Sequence, residues 1–235
     1  MNPIASATSP DAKQAAATLA VLPVGSWEQH GPSLPLSTDT LIACAITRQL
    51  AASHAVMELP PITISCSHEH SDWPGTVSIR HRTLSVLIED IADSLRRSGV
   101  NQLVLVNAHG GNCVLSNIVQ EGNARFPRST ALFPRSDDWR AARDAAGVRS
   151  AYQDDMHAGE LETSILLQAY PEVVRPGWQE LDHTSGREQL LIHGMSAYTK
   201  TGVIGQPSFA SAEKGQLLLA HLVERFGRLL GALQR

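Results

Sequence analysis

Cysteine is scarce and odd in number: Cys44, Cys66 and Cys113 stand far apart in 235 residues. They supply neither a disulfide framework nor a cysteine-based zinc site, so a reduced, cytoplasmic setting is expected. Charge is also sparse. Asp, Glu, Lys and Arg make up 18% of the chain, the formal net charge is −4, and no basic run stands out. The electrostatic footprint of a nucleic-acid-binding protein is therefore missing. No apolar stretch approaches the ~18 residues of a membrane span. Residues 1–13 are polar and rich in Ala and Ser, without the basic start and apolar stretch of a secretory signal. They are expected to be a mobile tail ahead of one domain over 14–235. Hydrophobic residues, at 43%, are plentiful enough to pack that domain.

Apolar strands alternate with amphipathic helices along the chain. Strands are expected at 19–24, 56–59, 62–65, 103–106 and 130–133, the second and third split by Pro60-Pro61. Helices are expected at 40–52, 83–97, 112–124, 137–146, 162–169 and 212–233. The clearest is 83–97, where Leu84, Leu87, Ile88, Ile91 and Leu95 recur at three and four residues. Nearly all-apolar strands separated by helices predict an α/β fold with a mostly parallel sheet covered on both faces. Residues 171–207, rich in Gly, Pro and polar side chains, read as an excursion that serves as a lid or an oligomer contact.

Polar clusters sit at the element boundaries. Glu28, His30 and Asp39 follow the apolar run 19–24. A lone Glu-x-His reads as readily as a solvated loop. Here the loop leaves a buried strand, where a carboxylate needs a cation or hydrogen bonds. His109, in His-Gly-Gly-Asn, follows the run 103–106. The spaced glycines of a dinucleotide fold and a P-loop lysine are both missing, so a ligand reading is preferred to phosphate binding. Asn112 is expected to cap the next helix. His157 and Glu160 are three residues apart and would share a helical face, with Glu162 turned elsewhere. The segment 67–76, with Ser67, His68, Glu69, His70 and Trp73, reads as a substrate-facing loop or a purely structural one. Both first clusters lie past the carboxyl ends of strands, where ligands gather in open parallel sheets. Imidazole and carboxylate ligands suit a divalent metal such as Zn or Mn. No nucleophile elbow or His-paired cysteine motif is present, which leaves metal-activated water as the nucleophile.

In order and spacing, these motifs resemble the creatininase (creatinine amidohydrolase) family. The residues that carry the resemblance are Leu-Pro-Val-Gly-Ser-x-Glu28-Gln-His30-Gly-Pro, Leu-Pro-Leu-x-Thr-Asp39, Trp73-Pro-Gly-Thr76, Asn-x-His109-Gly-Gly-Asn112 and His157-Ala-Gly-Glu160-x-Glu162-Thr-Ser. The family also includes formylaminopyrimidine deformylases and mycofactocin maturation peptidases. The resemblance implies a three-layer α/β/α sandwich, two divalent ions per chain (Zn, Mn or Fe), and hydrolysis of a C–N amide bond in a cyclic amide, formamide or small peptide. It places Glu28, Asp39 and His109 on one metal, and His30, Asp39 and a further glutamate on the other. In creatininase proper that glutamate matches Gly111, so Glu160 is expected to replace it, with Glu162 the second choice. Gly110 stands where creatininase has a tyrosine near the metals, and Ser33 where the family usually has histidine. Ser67, His68, Trp73 and Gly110 are expected to meet the small-molecule amide substrate. A hydroxide bridging metals about 3.5 Å apart would attack the carbonyl, and His157 would protonate the leaving nitrogen. A homo-oligomer, with a hexamer favoured, is implied. The alternative is a catalytically silent, metal-binding assembly subunit of the same fold, against which the retention of His157 argues.

Overall fold

The computed structural model describes residues 6–234. Four parallel strands form its sheet: β1 (Leu19–Val24), β2 (Met57–Glu58), β3 (Gln102–Asn107) and β4 (Thr130–Phe133), in the order β2-β1-β3-β4. Ala20 lies opposite both Met57 and Leu103, and Leu105 opposite Leu132. The central strands are apolar throughout because both their faces are covered. Val21, Val104 and Val106 enter one hydrophobic cluster; Ala20, Leu22, Leu103 and Leu105 enter the other. Helices α2 (Thr38–Ser53), α5 (Ser136–Ala145), α6 (Glu160–Ala169) and α8 (Ala212–Gln234) contribute to the first cluster. Helices α3 (His81–Arg97) and α4 (Leu115–Arg125) contribute to the second. The result is the three-layer α/β/α arrangement.

Several boundaries differ from expectation. The strand expected at 62–65 shrinks to one bridge between Ile62 and Val24, and the strand at 56–59 to two residues. Pro60-Pro61 removes two N–H donors between them and stops the ladder. Asn112 does not cap α4. Its Oδ1 accepts from Cys66 N and its Nδ2 donates to Asn107 Oδ1, so it ties two loops of the site together. At the N-terminus, residues 1–5 of the expected tail lie outside the described residues. Residues 9–13 of it belong to α1 (Ser9–Ala15), a helix opened by a Thr8–Asp11 capping box and burying none of its residues. The 171–207 excursion contains short 3-10 turns and α7 (Leu190–His193). Its end is seated on the domain by a bridge from Ile204 to His157, and a bridge from Gly205 to His183 ties the excursion to itself.

One close approach fixes the site. A Cβ on Gly25 would lie 2.3 Å from Thr40 Cα, so only glycine lets the end of β1 press against the first turn of α2. Ser65 Oγ donates to the Gly25 carbonyl, and Thr40 Oγ1 to that of Ser26. The loop carrying Glu28 and His30 is thereby joined to the turn carrying Asp39.

Candidate metal centre

Glu28, His30, Asp39, His109 and His157 converge at the carboxyl ends of β1 and β3, each at most 5% exposed. Asp39 is central. Its Oδ1 lies 3.2 Å from His30 Nε2, its Oδ2 lies 3.1 Å from His109 Nδ1, and Oδ2 also accepts from Ser26 Oγ. Backbone carbonyls settle which ring nitrogens are free, since a carbonyl only accepts. His30 Nδ1 donates to the Glu28 carbonyl at 3.0 Å, which leaves Nε2 turned to Asp39 and, 3.8 Å away, Glu162 Oε2. His109 Nε2 donates to the Cys66 carbonyl at 2.7 Å, which leaves Nδ1 for Asp39. Among the described residues, three overlapping groups of ligand atoms lie within 4.8 Å of one another: Glu28–Asp39–His109, His30–Asp39–Glu162 and Glu28–His30–His157.

The electrostatics are those of tightly packed carboxylates and imidazoles. Burial would raise Asp39, but His30 and His109 hold it well below the usual carboxylate range. Burial raises Glu28, with His109 opposing, and lifts Glu162 to about 8, with His30 opposing. Burial disfavours a charged His30, yet Asp39 outweighs it and brings the ring to about 9. His109 is held well above its ordinary value because Glu28 and Asp39 outweigh burial. Burial, with repulsion from His30 and His70, pushes His157 well below the histidine range. Neither carboxylate oxygen of Glu28 has a hydrogen-bond partner, although His109 Nε2 and His70 Nε2 approach to 3.2 and 3.3 Å. A buried carboxylate left that way costs several kcal/mol unless it is paired or coordinated. The donor set of imidazole and carboxylate therefore fits a divalent cation.

Glu160 is not part of this cluster. It shares no helical face with His157, because α6 begins only at Glu160, while His157 sits before it in a bridge to Ile204. The carboxylate of Glu160 is already used: it pairs with Lys214 Nζ and accepts from Arg149 N, Ser150 N and Ser150 Oγ. Glu162, one of the ligand groups above, accepts from Ala158 N at 2.7 Å, Ala158 being in the left-handed region at φ 52°. The side chain of Asp155 is also buried. It accepts from the N–H groups of Glu160 and Leu161 at the head of α6 and pairs with Arg143.

The expected substrate residues fare unevenly. Gly110 borders a cavity of about 290 Å³ beside His157 and Glu162. Ser67 is fully buried, its Oγ without a partner, and Trp73 Nε1 is likewise unpartnered. His68 is exposed and meets Ser78 Oγ, outside the cluster. Two residues that the sequence placed only within the 67–76 loop, with no individual role, adjoin the cluster. His70 is buried against Glu28, and Glu69 Oε1 lies 3.7 Å from His109 Nε2. A Cβ at Gly111 would fall 2.2 Å from Glu69 Oε1, so Glu69 takes the room that a side chain at 111 would need. The sequence signals here were a place after a short apolar run and the His68-x-His70 spacing, a weak resemblance to a ligand pair.

The sequence model of the creatininase family, described as creatinine amidohydrolase, matches residues 5–230. The chain belongs to the creatininase family. Among curated members of that family, it is 35% identical over 217 residues to the mycofactocin precursor peptide peptidase of Mycobacterium ulcerans (strain Agy99), covering 87% of this chain and 81% of that one. It is 26% identical over 229 residues to the creatinine amidohydrolase of Pseudomonas putida, covering 87% and 85%. A crystal structure of creatininase superposes with a TM-score of 0.80 at 24% identity, covering 94% of this chain and 93% of that one, which establishes the shared fold. Creatininase-family homologues are amidohydrolases and peptidases, so hydrolysis of C–N amide bonds is the supported class of reaction.

Proposed function

We propose that the protein is a divalent-metal-dependent hydrolase acting on the C–N amide bond of a small, peptide-like substrate. The observation that carries this reading is the meeting of two ligand groups on Asp39, one from each of its carboxylate oxygens. Glu28, Asp39 and His109 would hold one cation; His30, Asp39 and Glu162 would hold the other. Such cations polarise a carbonyl and bring the ionisation of water towards neutrality. The chain's own residues do the rest. His157 Nε2 donates to the Gln29 carbonyl at 2.6 Å, so Nδ1 is its working atom, 3.9 Å from Glu28 Oε1. Because burial keeps the ring neutral at the start, Nδ1 takes a proton during attack and then gives it to the leaving nitrogen.

The adjoining cavity supports a peptide-like substrate. Trp139, Tyr152, Met156 and Leu161 offer apolar and aromatic walls, and Arg187 stands among them. The greater identity to a peptide peptidase than to a creatinine amidohydrolase points the same way. Among the described residues no helix is long and apolar enough to cross a membrane. The fully developed apolar tip of α7, with Leu191 at 94% and Ile192 at 74% exposure, supports a homo-oligomer in which the 171–207 excursion meets another copy. Light scattering that finds an active monomer would remove that part of the reading.

The test is to strip the protein with chelator, restore Zn, Mn or Fe, and assay cyclic amides, N-formyl compounds and short peptides. Metal-restored turnover of short peptides is expected. A protein that binds no divalent ion, or that is loaded and inert across the panel, overturns the proposal.

A further inference from the structure

Gln29 lies between two motif residues and is 5% exposed, yet no ligand role falls to it. Its side-chain amide has a fixed orientation. Oε1 accepts from Gly31 N at 2.9 Å, and Nε2 donates to the Gly202 carbonyl at 3.1 Å. Each backbone partner can act in only one sense, so oxygen and nitrogen cannot be exchanged. Gly202 is at φ 88°, and a Cβ there would fall 1.8 Å from Gln29 Oε1, so only glycine admits this seating. The second N–H of Gln29 Nε2 faces His70 Nδ1 at 3.0 Å. Nδ1 must therefore accept, and the neutral ring carries its proton on Nε2. That Nε2 lies 3.3 Å from Glu28 Oε1, one of the two unpartnered carboxylate oxygens. His70 is 1% exposed, and its other face rests on the His157 ring, centroids 4.5 Å apart.

A nitrogen that carries a proton has no lone pair for a cation. Although buried in the cluster, His70 is thus unsuited to be a ligand, and its remaining partner is Glu28. We infer that His70 is a positioning residue: Gln29 sets its tautomer, and its Nε2–H holds Glu28 in place for metal capture. The inference rests on the proposed metal-dependent function. It also makes the loop around Gly202 part of the site, through the path Gly202–Gln29–His70–Glu28.

Two measurements on the full-length protein test it. Nitrogen-15 NMR of the histidine rings should show His70 as the neutral Nε2–H tautomer in wild type, and Gln29→Glu, which cannot donate, should move the proton to Nδ1. Zinc affinity by chelator competition should fall about ten- to a hundredfold in His70→Ala, as for other residues that orient a ligand. His70→Gln, which again offers an N–H, should recover most of that loss, which a purely space-filling role would not explain. An Nδ1–H tautomer in wild type, or unchanged affinity in His70→Ala, overturns the inference. If wild type itself takes up no ion, the proposed function fails, and the inference then stands or falls on the tautomer alone.

Discussion

The loop after β1 and the corner before α6 both bring carboxylates to the cluster, and they carry that charge differently. In the first region, Glu28 in the loop and Asp39 in the first turn of α2 are buried with little more than histidines and one serine around them. At the corner, Glu160 is buried two residues from Glu162 and is fully supplied by Lys214, Ser150 and Arg149. One region sets its buried carboxylates against imidazoles, groups that can also bind a cation, and the other supplies Glu160 with a lysine and fixed donors. Burial of a glutamate is thus no sign of a site. The question that separates them is whether its partners are already present.

The largest test of this contrast is Asp39→Ala. Because Asp39 faces both histidine nitrogens, metal content by elemental analysis should fall from near two ions per chain to near none. Turnover should fall by more than the ~10²–10⁴ expected for loss of a proton-transfer group. His157→Ala comes next: it should keep its metal and lose turnover within that ~10²–10⁴ range. Metal loss in this variant would instead make His157 a ligand, through its group with Glu28 and His30.

The sharpest test compares Glu162→Gln with Glu160→Gln. The first should lose one ion with little change in melting temperature. The second should keep both ions but lose about 3 kcal/mol of stability, since it leaves Lys214 without its charged partner. A Glu160→Gln protein that lost metal and kept its stability would erase the distinction between the two regions. The smallest effect concerns pH. Burial would raise Glu160, but Lys214 and the Ser150 and Arg149 donors hold it below its ordinary value. Its contribution to stability is therefore present above the unfolded carboxylate pKa and is lost as pH falls through the lower folded value. Thermal melts across that acid range should show a shallower loss of stability in Glu160→Gln than in wild type.

Much of the fold was readable because it depends on local patterns. The apolar runs of β1 and β3 and the three–four repeat of α3 each report burial directly. The clustering of Glu28, His30 and Asp39 was readable for a related reason: Gly25 and the start of α2 pin residues 28–39 within a short stretch of chain. The corner before α6 was not, because its conformation depends on distant groups. The bridge to Ile204 fixes His157, and Lys214 claims Glu160, partners separated from them by 47 and 54 residues respectively in the case of His157–Ile204 and Glu160–Lys214. The role inferred for His70 was not readable for the same reason, since it rests on a Gln29 amide oriented by Gly202, 173 residues away along the chain.

The grip of Lys214 on Glu160 has a consequence for how the protein comes into being. Every candidate ligand is encoded by residue 162, yet the corner that presents Glu162 is fastened by a side chain at the start of α8, which packs on α6, α5 and α2. A nascent chain emerging from the ribosome therefore holds the full set of candidate ligands well before it holds their clasp. Metal capture is expected to be a late event in synthesis, coinciding with the docking of α8, and a chain halted before residue 214 should take up metal poorly despite lacking none of the candidate ligands.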